Sequence, residues 1–128
     1  MEHLHKTIMV RTSFKGTHNW PEASQVVGSR VSFLDVPHRH TFYVNAELQV
    51  TDSDREVEFF IFQESIDTAI RELYAPKDLV YNLGRRSCET IAEELIIWIR
   101  RRFNHSGEIT VEVWEDNEVG ARVRSSLV

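Results

Sequence analysis

Apolar and polar residues alternate along Thr41-Phe42-Tyr43-Val44-Asn45-Ala46-Glu47-Leu48-Gln49-Val50, and this period of two predicts a half-buried strand from about His40 to Val50. Lys6 to Phe14, with Ile8 and Val10 and a Thr/Ser/Phe tail, predicts an earlier strand. Between them Gly16 to Ser32 is rich in Gly, Ser, Asn and Pro and reads as a loop, with a short strand offered by Gln25 to Val31. Thr51-Asp52-Ser53-Asp54 has turn chemistry, and the apolar run Val57 to Phe62 is expected to pair back on the long strand as a hairpin. Phe62, Ile66, Ala69, Ile70 and Leu73 then form one helical stripe, which Pro76 stops. Ala75 to Arg86 reads as irregular. Ser87 suits an N-cap and Glu89 the first turn of a second helix, whose buried face is Ile91, Leu95, Trp98, Ile99 and Phe103. Asn104 to Gly107 ends it; Ile109, Val111 and Val113 mark a further strand, and Val119 to Arg124 a last short one. The order predicts an α+β fold: an antiparallel sheet with both helices on one face, in a single domain over residues 1–128.

Composition narrows the chemistry. The 128 residues carry a formal charge of -5, 41% hydrophobic and 27% charged residues, an ordinary globular balance. An acidic chain argues against a nucleic-acid partner bound by phosphate neutralisation. Arg100, Arg101 and Arg102 close a helix, where they complement its dipole and solvate a face. The single cysteine, Cys88, excludes an internal disulfide and suits a reducing compartment. No apolar run reaches membrane-spanning length, and a cytoplasmic protein is expected.

His38 and His40 head the long strand one residue apart, and residues i and i+2 of a strand share a face. The pair can aim two imidazoles at one point, and a third from elsewhere, with His18 standing alone after the first strand, would give a three-His metal site with an open fourth position. Two surface histidines near a turn would look the same.

Four motifs in order resemble the 6-pyruvoyltetrahydropterin synthase and 6-carboxytetrahydropterin synthase family. Phe14-Lys15-Gly16-Thr17-His18 is similar to the family's strand ending Phe-x-x-x-His. His38-Arg39-His40 stands for its His-Gly-His, Arg86-Ser87-Cys88-Glu89 for its Pro-Thr-x-Glu helix start, and Val111-Glu112-Val113-Trp114-Glu115 for its closing strand. The resemblance implies the tunnelling fold, a four-stranded antiparallel sheet with two helices whose copies join into a barrel of the trimer or hexamer class, with sites between subunits. It implies a Zn2+ ion on His18, His38 and His40, and a pterin-like small molecule whose ring is anchored by Glu115, with Glu89 as a further ligand contact. A carboxylate accepts two parallel hydrogen bonds from a 2-amino-4-oxo ring edge, which suits that role. On the residues alone Glu115 is equally an exposed acid in an acidic stretch, and Glu89 a complement to the helix dipole.

The departures from the family bear on activity. Its usual proton-accepting cysteine falls at Leu34, four residues before His38, and the histidine of its Asp-His pair falls at Leu79, leaving Asp78. The Gly between the paired histidines is Arg39, and Ile61 precedes Phe62 where an Asp is usual. A family subgroup uses a glutamate shortly before the histidine pair, and Asp35 offers an acid three residues before His38. Asp35 is either a general base with a pKa raised by partial burial or a turn former before Val36-Pro37. Two functions follow: a zinc-dependent lyase or synthase on a dihydropterin with Asp35 and Asp78 moving protons, or a non-catalytic relative that binds a pterin or guanine-like ligand or serves in assembly. A small protein with adventitious surface metal is the third reading.

Overall fold

In the computed structural model, which describes residues 2–127, the alternating segment forms β2 (His38–Val50), and its even-numbered residues from Phe42 to Val50 are buried. Residues 1 and 128 of the single-domain span lie outside the described residues. β1 (Lys6–His18) runs antiparallel to β2 along its whole length, from Lys6 opposite Val50 to His18 opposite His38. Both strands thus reach further than their apolar pattern, β1 by Lys15 to His18 and β2 by His38 and Arg39. Between them the loop holds a one-turn helix α1 (Ala23–Val26) and a 3₁₀ segment (Ser29–Leu34), where a short strand is expected.

The expected hairpin does not form. Val57 to Phe62 leads into helix α2 (Phe59–Tyr74), whose N-cap Glu58 accepts the Phe60 amide with its side chain. Of that run Phe62 is buried in the core and Val57 packs against its edge, whereas Phe59, Phe60 and Ile61 stay exposed. A run of four apolar residues carries no period, so it reads as a strand. Helix α3 (Cys88–Phe103) is capped by Ser87, which accepts the Thr90 amide at 3.1 Å, and it ends on Asn104 in left-handed geometry. Arg100 turns inward there and donates to the carbonyls of His105 at 2.8 Å and Gly107 at 3.0 Å.

The sheet has six strands in the order β3-β4-β1-β2-β5-β6 and is mixed, which corrects the four-stranded antiparallel expectation. Its centre, β1 and β2 with β5 (Ile109–Glu115) and β6 (Val119–Ser125), is the predicted antiparallel set. The addition comes from the segment that reads as irregular: β3 (Pro76–Lys77) and β4 (Val80–Gly84) form a hairpin, and β4 lies parallel to β1. The two-residue turn between them is Asp78-Leu79, both with positive φ (54° and 67°).

Phe62, Ile66 and Ile70 of α2 and Ile91, Leu95 and Ile99 of α3 join Val10, Phe14, Phe42, Val44, Leu48 and Val111 in one core, so both helices cover the same face. Gly16 faces that core opposite His40; a Cβ there would stand 2.8 Å from Leu83 Cδ1, so the floor beneath the histidines has no room for a side chain. On the other face Glu112 accepts from Trp114 Nε1 and Asn45 Nδ2 at 3.0 Å each and from Arg122 Nε at 2.7 Å. No helix among the described residues is long and apolar enough to cross a membrane.

Candidate metal centre

The β1–β2 register brings the three histidines together. His18 lies directly opposite His38, directly opposed residues of a ladder share a face, and His40 follows on that face two residues later. The ring centroids of the three pairs are 4.7, 5.3 and 4.9 Å apart, and one nitrogen from each ring lies within 4.8 Å of the other two.

Each Nδ1 is committed to an acceptor. His18 Nδ1 donates to the Arg86 carbonyl at 2.9 Å, His38 Nδ1 to the Val36 carbonyl at 2.9 Å, and His40 Nδ1 to the Asp116 carboxylate at 2.6 Å. Carbonyl and carboxylate oxygens only accept, so every Nδ1 carries the proton and every Nε2 of the neutral rings presents a lone pair. The Nε2 atoms of His38 and His40 are buried with no hydrogen-bond partner. Burial, the largest cause, pushes the His18 pKa below the usual histidine range, against the Arg86 carbonyl and the Glu115 carboxylate, which raise it. Imidazoles held by their Nδ1 atoms, two of them with buried and unpartnered Nε2 atoms, are the donor set that a divalent ion such as zinc takes, and the acceptors on Nδ1 are the outer partners such ligands use.

Asp116 is the residue that sequence reasoning missed. It opens the β5–β6 turn in left-handed geometry (φ 51°), its amide donates to the Thr41 carbonyl at 2.8 Å, and its carboxylate accepts the Thr41 amide at 2.9 Å as well as His40. The ring N–H of His40, then the Thr41 amide, hold its pKa below the ordinary range. An Asp-Asn pair just after a strand was the available signal, since both tolerate positive φ.

Glu115 ends β5 opposite Phe42, beside the triad. Its Oε1 lies 3.3 Å from His18 Nε2 and its Oε2 3.5 Å from His40 Nε2. The Cys88 thiol stands 3.7 Å from Oε1, and burial, with Glu115 next, pushes its pKa up to about 12, so it is a donor to Glu115 and no proton acceptor. A cleft of about 480 Å³ opens on this side, lined by His18, His38, Glu115, Glu89, Trp20 and Leu34 among others. Glu89 thus lies in the same cleft as the triad.

Neither aspartate lines that cleft. Asp35 accepts the Ser24 amide at 3.0 Å and the Ser24 hydroxyl at 2.6 Å, and these bonds lower its pKa, the reverse of the expected rise. Burial supplies only the smallest, opposing influence, because hydrogen bonds to the charged form win. Asp78 is exposed in the β3–β4 turn, before the start of β4, whose far end, Gly84, pairs with His18. Arg39 projects to the opposite, solvent-exposed side of β2.

No family model matches the chain, and neither does any curated protein. Solved structures do. The chain is similar to Plasmodium falciparum 6-pyruvoyl tetrahydropterin synthase, with a TM-score of 0.67 and 15% identity over 96% of this chain and 99% of that one. It is similar to the Caenorhabditis elegans 6-pyruvoyl tetrahydropterin synthase, with a TM-score of 0.64 and 11% identity over 98% of this chain and 99% of that one. A Plasmodium vivax 6-pyruvoyltetrahydropterin synthase, in a variant whose catalytic glutamate is replaced by cysteine, matches with a TM-score of 0.64 and 15% identity over 98% of this chain and 100% of that one. At these identities the likeness shows the fold: the chain folds as a 6-pyruvoyl tetrahydropterin synthase does.

Proposed function

We infer that the chain is a zinc-dependent lyase acting on a dihydropterin of the dihydroneopterin triphosphate kind. One observation carries the reading: three imidazoles held by their Nδ1 atoms bring one nitrogen each within 4.8 Å of the others at the head of a cleft, and the Nε2 atoms of His38 and His40 are buried without a partner. A zinc ion held there supplies Lewis acidity toward a substrate hydroxyl or carbonyl.

The chain's residues divide the remaining work. Arg86, Val36 and Asp116 hold the three rings in one tautomer and orientation. Glu115 accepts the paired N–H groups of the pterin ring edge, and Glu89 contacts the ligand within the same cleft. Trp20 and Leu34 wall the cleft with apolar surface. Asp35 follows Leu34 and takes a proton once substrate displaces the Ser24 hydroxyl from its carboxylate. Asp78 serves only across a contact between copies of the chain. Such contacts suit the sheet, whose edge strands β3 and β6 have one unpaired side each.

A second reading, a relative that binds a pterin or guanine-like ligand without turnover or serves in assembly, is favoured by the latching of Asp35 to Ser24 and the protonated state of Cys88. Incubating the zinc-loaded protein with dihydroneopterin triphosphate and following triphosphate release separates the two. Turnover that falls roughly 10²–10⁴-fold in Asp35→Asn, with zinc and pterin binding intact, bears out the lyase. A parent protein that binds zinc and pterin yet releases nothing establishes the second reading.

A further inference from the structure

The carboxylate of Glu115 faces lone pairs. His18 and His40 carry their protons on Nδ1, so Oε1 at 3.3 Å from one Nε2 and Oε2 at 3.5 Å from the other are acceptors set against acceptors. No donor lies between them; the only side-chain donor on Glu115 among the described residues is the Cys88 thiol, which approaches Oε1 at 3.7 Å. An anion packed against two nitrogen lone pairs is repelled unless a cation, a proton or a metal ion, sits among them, and a metal ion engages both nitrogens and the carboxylate at once. The separations are those of ligands on a common ion: with bonds near 2.0–2.1 Å, two ligands of a tetrahedral zinc stand about 3.4 Å apart.

We propose that Glu115 is a fourth protein ligand to the metal in the ligand-free protein, so that the resting centre is closed by three histidines and one glutamate. The inference rests on the metal-centre reading above and adds to it that the open position is made, by Glu115 leaving, when a ring with paired N–H donors competes for the carboxylate. Several features hold the carboxylate ready. β5 ends on Glu115 in register with Phe42, the next residue is tied to Thr41 through both its amide and its side chain, and the Cys88 thiol bonds the oxygen nearer His18. The formal charge of a zinc site then falls from +2 to +1, which holds the ion more tightly and makes it a weaker Lewis acid until the glutamate leaves.

The test uses the metal alone. Metal-free protein, Glu115→Gln, Glu115→Ala and His38→Ala are titrated with Zn2+ against a chromophoric chelator and with Co2+ by visible absorption, and folding is checked by circular dichroism. Gln keeps the shape of the side chain, so at least one Glu115 variant reports on a folded centre. The expected result is one metal per chain in the parent and weakening in both Glu115 variants by at least the 10–100-fold that removing an outer partner costs, with a changed Co2+ spectrum as water replaces the carboxylate. Parent and Glu115 variants with equal affinity and the same Co2+ spectrum would overturn this proposal while leaving the three-histidine centre standing. A parent that binds no stoichiometric metal overturns both.

Discussion

Replacing Glu112 by Gln should destabilise the fold by about 2–3 kcal/mol at neutral pH. The carboxylate lies across the open face of the sheet, where the Trp114 indole N–H, the Asn45 amide and the Arg122 guanidinium all donate to it. These bonds, Trp114 first and Asn45 next, hold its pKa down to about 2 from an ordinary 4.5. The Glu112 side chain is 12% exposed but its Arg122 partner is 63% exposed, so solvent screens that ion pair and trims its worth. Lowering that pKa from 4.5 to about 2 is worth about 3 kcal/mol. Because the folded pKa is the lower one, that stability is present above the ordinary pKa of 4.5 and is lost as the pH falls through the window from 4.5 to about 2. Gln still accepts at one atom, which trims the loss, but it turns an NH₂ toward the Arg122 donor. Thermal unfolding followed by circular dichroism at pH 7 should show a Tm lower by about 10 °C, at roughly 4 °C per kcal/mol for a chain of this size. The gap should close as the pH is lowered toward 2. A variant that melts with the parent at pH 7, or a gap that stays constant down to pH 2.5, would refute the reasoning.

Asp116→Ala should weaken zinc binding about 10–100-fold, measured by chelator competition, because His40 loses the acceptor that fixes its ring and tautomer; its effect on Tm should be slight, since the Asp116 side chain is 47% exposed. Cys88 should resist iodoacetamide: a thiol with a pKa near 12 is about one part in ten thousand thiolate at pH 8, so alkylation of the native protein should run more than 100-fold slower than in denaturant.

The legibility of the chain followed the presence of a period. β2 and α3 are plain because their apolar residues recur at two and at three to four positions, and Ser87 announces the second helix with its own cap. The β3–β4 hairpin was hidden because its left-handed turn is built from Asp78 and Leu79 with no glycine to mark it, and because each strand is too short to alternate. The start of α2 was hidden by three exposed apolar residues in front of Phe62. At the site, the His38/His40 pair follows from strand spacing, and His18 stands out as a lone histidine, but its place opposite His38 is not legible because Lys15-Gly16-Thr17 has no apolar pattern to extend β1. The lowered pKa of Asp35 is not legible in the sequence, because its partner, Ser24, is brought to it by a loop that no local rule describes. Asp116 needed the β2–β5 register, a long-range fact, before its place beside Thr41 and His40 was visible.

The pairing of His18 with His38 has a consequence for folding. Side chains of neighbouring strands meet only in one alignment, and a slip of one residue would send His18 to the solvent side while His38 and His40 stayed behind. It would also drive Met9, Arg11 and Lys15 toward the helices in place of Val10, Phe14 and Gly16. The three imidazoles therefore gather only in correctly zipped β1 and β2, and any ion that requires all three would discriminate against misaligned sheets. Loading with metal would act as a seal on the finished sheet, set by thirteen paired positions that end at the site itself.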